Sequence, residues 1–111
     1  MATLTGQTIA STYKDLLQVS NSNSGIDSTL RVISDGEATD SVLYLSSAAA
    51  QITSNAKLYF RDTGLYIASN ADGDLDIVSD GTAIDSINIE SAGGITLDAG
   101  TAGSGVAYED D

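Results

Sequence analysis

The sequence has 111 residues, of which 16 are acidic and 4 are basic, giving a formal net charge of −12. Nucleic acid binding needs clustered Lys and Arg, and anionic membranes repel an acidic surface, so we expect neither as a partner. The chain has no Cys and no His, so it lacks disulfides, thiolate metal ligands and the commonest general base. We therefore predict no cofactor and no catalytic activity.

The first predicted element is a short helix over residues 11–19. Apolar side chains recur with the spacing of one helix face at Ile9, Tyr13, Leu16 and Leu17. Ser11 or Thr12 is a suitable N-cap, and the polar cluster at 21–25 is a stop signal. The alternative is a strand over 16–19 that leads into a hairpin.

A thirteen-residue stretch occurs twice, with an offset of 45 residues. Residues 30–42 read LRVISDGEATDSV and residues 75–87 read LDIVSDGTAIDSI, with seven identical positions. Each copy has an alternating strand, a Ser-Asp-Gly turn and a second strand that starts at Asp-Ser. Asp-Gly favours a tight turn because both residues tolerate positive φ. The copies are either one repeated module or two hairpins that share common turn chemistry.

From residue 26 onward, apolar residues alternate with polar ones, which is typical of short strands. The later pairs are Leu58 and Phe60, Leu65 and Ile67, Leu75 and Ile77, Ile87 and Ile89, and Ile95 and Leu97. Two inward side chains per strand bury little area, so such strands need stacking or winding around identical chains. We predict a mainly β protein in which repetitive short strands follow a short N-terminal helix or strand.

Four oxygen-bearing residues alternate through the turn that contains Gly73, namely Asn70, Asp72, Asp74 and Asp76. Calcium loops begin in this way, but no bidentate Glu follows at the required distance. The other interpretation is a solvated turn. The alternative function is accordingly a calcium-binding β-solenoid module of a surface adhesin.

The sequence has an N-terminal stretch, TGQTIASTYKDLLQVS at 5–20 followed by GIDSTLRVISDGEATDSVLYLS at 25–46, and a repetitive stretch, GDLDIVSDGTAIDSINIESAGGITLDAG at 73–100. The first stretch resembles the N-terminal segment of tail-fibre-like structural proteins of marine tailed phages. The second resembles the repetitive β shaft that often follows that segment. The resemblance implies an intertwined homotrimeric fibre in the virion, with its N-terminal part anchored in the tail or neck.

This resemblance divides the chain into a virion-anchoring segment at 1–25, a first strand-turn-strand unit at 26–55 and a repetitive β shaft at 56–111. The implied partners are identical chains and other virion proteins of the tail or neck, such as an adaptor, nozzle or portal protein. The candidate docking residues are Leu4, Ile9, Tyr13, Leu16 and Leu17. The candidate trimer core consists of Leu58, Phe60, Leu65, Ile67, Leu75, Ile77, Ile87, Ile89, Ile95 and Leu97. All four basic residues precede residue 62, so docking to a larger body is easier through the N-terminal half.

Overall fold

The computed structural model describes residues 5–84, 86–100 and 105–107. It divides into two compact units, residues 1–81 and 82–111, and the strands and helix of the described chain lie in the first. The prediction of a mainly β protein is confirmed, because two antiparallel sheets and one short helix form the regular structure. The strands are β1 Gln18–Val19, β2 Arg31–Ser34, β3 Asp40–Leu45, β4 Ala50–Ile52, β5 Lys57–Phe60, β6 Asp62–Ala68 and β7 Asp76–Val78.

The N-terminal helix is shorter than predicted and begins earlier. It consists of α1, Ile9–Thr12, followed by a 3-10 turn, Tyr13–Asp15. The predicted limits of 11–19 are wrong because the backbone becomes extended at Leu16. The alternative strand forms only over its last two residues, which are β1.

The predicted helix caps also require correction. The N-cap position is occupied by Thr8, whose side chain makes no capping hydrogen bond. Ser11 and Thr12 lie inside α1, where both hydroxyls donate to the Thr8 carbonyl at 2.9 Å. Hydroxyls within a helix commonly bond back to a carbonyl of the preceding turn in this way.

The first sheet has the order β1-β2-β3-β4, and its centre is the first copy of the repeat. β2 and β3 form the predicted hairpin around the Asp35 turn. The Asp35 carboxylate accepts hydrogen bonds from the N–H groups of Glu37 and Thr39, at 2.9 and 2.8 Å. These bonds, led by that from Thr39, lower the pKa of Asp35. The turn is therefore closed by the side chain of its own Asp.

We expect Ala38→Gly to stabilise this turn. Ala38 has a φ of 64°, a conformation that costs an L-residue roughly 1–2 kcal/mol, whereas glycine adopts it freely. Glycine loses more chain entropy on folding, so the expected net gain is about 0.5 kcal/mol, measured by denaturant unfolding. The matched control is Ala83→Gly at the equivalent position of the second copy, which does not have positive φ. An equal gain in both variants would contradict the explanation.

The N-terminal helix packs against the hairpin turn of the first sheet. Gly36 lies against the Tyr13 backbone so closely that a Cβ would overlap the Tyr13 carbonyl group. Lys14 forms an ion pair of 2.9 Å with Glu37 on the same turn. Nearby in β2, Ile33 is 8% exposed and is the buried hydrophobic residue of the described chain. The core formed by the described residues is therefore very small.

The second sheet has the order β5-β6-β7 and is antiparallel throughout. Arg61, with a φ of 73°, is the single residue between β5 and β6. The loop from β6 to β7 includes Gly73, whose φ of 80° suits glycine. The two sheets follow one another in the chain, and the predicted organisation into anchor, first unit and shaft stays a prediction.

The second copy of the repeat does not form the predicted hairpin. Its first strand is present as β7, but residues 82–84, 86–100 and 105–107 contain no strand. The strands predicted at the Ile87 and Ile95 pairs are therefore absent from this single chain. The turn differs from that of the first copy: Asp80 donates its N–H to the Gly64 carbonyl at 3.2 Å and holds its carboxylate against Gly64. Asp35, by contrast, uses its carboxylate to close its own turn.

Candidate interaction surfaces

One row of apolar side chains crosses the second sheet. Leu58 pairs with Ile67, and Ile67 pairs with Ile77, so the three lie side by side on one face. We call these three residues the apolar row. Leu58 is 46% exposed and Ile77 is 56% exposed. Ile67, which lies between them, is half-buried, so Leu58 and Ile77 are the exposed parts of the row that a partner can cover.

A hollow of about 200 Å³ within the first unit adjoins the apolar row. Leu58 and Ile67 contribute to its wall, together with Leu75 and Ile52. Ile52 belongs to the first sheet and pairs with Leu43. The apolar surface is thus concave at this end and suits an inserted aliphatic side chain.

The structure places the predicted trimer-core residues in two different settings. Leu58, Phe60, Leu65, Ile67 and Ile77 lie in the second sheet, and Leu75 precedes β7. In the second unit, the remaining four belong to no strand and are all at least half exposed: Ile87, Ile89, Ile95 and Leu97. The structure therefore brings together the first group only.

The opposite face of the second sheet carries an aromatic and cationic cluster that the sequence did not reveal. Tyr59 and Tyr66 are register partners with an edge-to-face arrangement and a centroid distance of 6.1 Å. The Lys57 ammonium lies 4.0 Å from the Tyr66 ring centroid, a cation–π geometry. Alternation along β5 would have indicated that Lys57 and Tyr59 share a face. That Tyr66 is the partner of both depends on the strand register.

The predicted docking residues at the N-terminus do not form one surface. Ile9 and Leu17 are strongly exposed, at 77% and 74%, and Leu16 is half-buried. Tyr13 instead packs against the Gly36 turn. Leu4 lies outside the described residues. Ile9 and Leu17 are therefore the exposed apolar contacts that remain for a partner.

The predicted calcium turn is held by hydrogen bonds within the turn itself. The Asn70 amide donates to the Asp76 carboxylate at 2.7 Å, and the Asp74 N–H donates to the Ala71 carbonyl at 3.1 Å. The described part of the chain contains no group of three or more acidic residues placed to hold a metal ion. Every strand pair among the described residues is also antiparallel, unlike the parallel coils of a β-solenoid. The structure thus offers no observation that favours the adhesin alternative.

Arg31, in the first copy of the repeat, binds an acidic neighbour. Its guanidinium lies 2.8 Å from the Asp27 carboxylate, with a second contact from Nε at 3.3 Å. The Arg31 hydrogen bond, followed by that from the Thr29 N–H, lowers the pKa of Asp27 from 3.8 to about 2. The second copy has Asp76 in place of Arg31 and bonds it to Asn70 instead.

We expect Asp27 to titrate near pH 2 and to return toward its ordinary value in Arg31→Gln. Because the folded-state pKa lies below the unfolded value, this interaction stabilises the fold above about pH 4 and is lost as the pH falls through 2. An NMR titration that follows the carboxyl chemical shift of Asp27 measures its pKa in the wild type and in Arg31→Gln. Lys14→Gln is the control, because Lys14 pairs with Glu37 instead. A wild-type midpoint near 3.8 would contradict the ion pair.

Comparison with protein-family models, curated protein sequences and solved structures gave no match. Within residues 5–84, 86–100 and 105–107, no helix has the length and apolar character of a membrane span. The candidate function therefore rests on the exposed apolar row and on the resemblance of the sequence.

Proposed function

We propose that this chain is a virion structural protein, the proximal part of a homotrimeric tail fibre that attaches the fibre to the phage tail or neck. The observation that carries the proposal is the exposed apolar row in a chain whose described residues bury one hydrophobic side chain, Ile33. Burying apolar surface contributes about 25 cal/mol per Å², so covering this face stabilises an assembly.

In the proposed assembly, identical chains bury the apolar row. Three copies around one axis direct their equivalent rows inward, and the aliphatic hollow beside Leu75 accepts side chains from a neighbour. The Lys57 and Tyr59 face then lies outward. Three chains, each with a charge of −12, repel one another, so the assembly needs outward-facing carboxylates and salt.

The proposed attachment to the virion uses the N-terminal helical segment. Ile9 and Leu17 present exposed apolar side chains there, while Tyr13 holds the segment on the Gly36 turn. An adaptor, nozzle or portal protein of the tail or neck is the proposed partner. The identification of that partner class and of the virion rests on the resemblance at 5–46. A non-catalytic role is proposed because the sequence has neither His nor Cys.

Native mass spectrometry and sedimentation equilibrium over a range of concentrations test the proposal. The expected result is a mass of three chains that persists on dilution, with a β-type circular dichroism spectrum. The measurements are made at moderate and at high salt, because screening favours association of like-charged chains. A folded monomer that keeps the β spectrum at all concentrations and salt levels would overturn the proposed function.

A further inference from the structure

The second copy of the repeat has half of its hairpin missing. In the first copy β2 is flanked on both sides, by β1 and by β3. Its equivalent β7 pairs with β6 only and is an edge strand of the described sheet. The position that β3 occupies in the first copy is open in the second.

The segment of the second copy that corresponds to β3 is available for strand pairing. With the offset of 45, β3 (Asp40–Leu45) corresponds to residues 85–90, and residues 86–90 belong to no strand. Ile87 and Ile89 are 52% and 64% exposed. Residues 87–90 make no hydrogen bond with the described part of the chain, so their backbone groups can still enter a ladder.

The register of the first copy specifies how such a strand would pair. There, Val32 lies opposite Tyr44. The same register in the second copy sets Ile77 opposite Ile89. Because Ile77 ends the apolar row, Ile89 would extend that row from three aliphatic side chains to four.

The turn between β7 and residues 86–90 favours a pairing strand that comes from another chain. The hairpin of the first copy is closed by the hydrogen bonds that the Asp35 carboxylate accepts from Glu37 and Thr39. In the second copy, Asp80 is engaged with Gly64. Ser86 caps a separate turn by donating its N–H and its hydroxyl to the Ala83 carbonyl, at 3.2 and 2.7 Å.

We propose that residues 86–90 of one copy add as a fourth antiparallel strand to the open edge of β7 in a neighbouring copy. This strand addition rests on the proposed self-assembly and gives it a register. It uses backbone hydrogen bonds for affinity and Ile89 for specificity, as in other complexes in which a strand extends a sheet edge.

The second copy has Asp76 at the position of Arg31 in the first copy, and this difference affects how strongly the added strand pairs. In the transferred register, Asp76 faces Glu90, whereas Arg31 faces Leu45 in the first copy. Like charges directly opposite one another oppose strand pairing. Strand addition should therefore strengthen with salt, and Asp76→Arg should strengthen it further because opposite charges would then face each other.

Cysteine cross-linking tests the register, since the sequence contains no other thiol. Ile77→Cys and Ile89→Cys chains with different tags are unfolded, mixed, refolded and oxidised. We expect a disulfide-linked dimer that carries both tags, because the Cα atoms of directly opposite residues lie within the range that a disulfide spans. The matched control replaces Ile89→Cys with Asn88→Cys, which faces the other side of the strand and should cross-link several-fold less. Adding Asp76→Arg should raise the yield of the Ile77–Ile89 pair.

The outcomes separate this inference from the proposed function. A trimer mass with equal cross-linking at residues 88 and 89 would overturn the strand addition and leave self-assembly intact. A disulfide that closes within one chain of the Ile77→Cys/Ile89→Cys double variant, without linked dimers, would overturn pairing between copies. A monomer mass at all concentrations would overturn both.

Discussion

Leu58→Asp is expected to dissociate the proposed trimer into monomers. Leu58 begins the apolar row and lines the hollow beside it, so three carboxylates would be buried in the proposed trimer. A buried charge without a partner costs roughly 3 kcal/mol or more, and this cost applies to each chain. Sedimentation equilibrium and native mass spectrometry should show mainly single chains where the wild type shows three.

Tyr59→Asp is the matched control for this effect. Tyr59 follows Leu58 in β5, points to the opposite face, and has nearly the same exposure in the single chain, 49% against 46%. The variant loses the contact with Tyr66, so a modest fall in unfolding temperature is expected, but the mass of the proposed trimer should persist. If both variants assembled equally well, or failed equally, the assignment of inner and outer faces would be wrong.

Gly36→Ala is expected to lower the stability of the first sheet by about 1–3 kcal/mol, the usual cost of overpacking. The added methyl group would overlap the backbone carbonyl of Tyr13, which cannot swing aside as a side chain can. The helical segment would have to leave the Asp35 turn, and the ion pair from Lys14 to Glu37 would break. Denaturant unfolding followed by circular dichroism measures the loss, and NMR shift changes should centre on residues 13–15 and 35–39.

Gly64→Ala provides the comparison. The atoms nearest to a methyl group at Gly64 belong to the carboxylate of Asp80, the mobile end of a side chain. Replacing glycine also reduces the entropy of the unfolded chain, which offsets the small rearrangement. The expected change in the free energy of unfolding is therefore near zero. A loss as large as that of Gly36→Ala would show that close packing at Tyr13 is not the cause.

The first hairpin could be predicted because its determinants are local. β-branched residues precede Asp35, whose side chain bonds to the backbone two and four residues later, and no distant residue is needed to close the turn. The strands at Leu58 and Leu65 were likewise visible in their alternation. The helix limits could not be predicted, because apolar spacing at 9–17 also fits a helical turn that stops early. Packing of Tyr13 on Gly36 accompanies that early end.

Local turn chemistry alone could not predict that, within the described residues, the second copy of the repeat forms only its first strand. Its Ser-Asp-Gly turn is identical in sequence to the first, yet Asp80 bonds to Gly64, which is distant in sequence and adjacent only because β6 pairs with β7. The cluster of Lys57 with Tyr66 depends on register in the same way.

The sequence by itself determined the β character, the first turn and the surplus of exposed apolar side chains, because these follow from alternation, turn residues and a lack of large core residues. Only the tertiary structure decided which side chains share a face and which copy of the repeat closes its hairpin. The physical reason is that strand register and long-range hydrogen bonds are set by partners far away in the chain. The Leu58, Ile67 and Ile77 row is the outcome of that register.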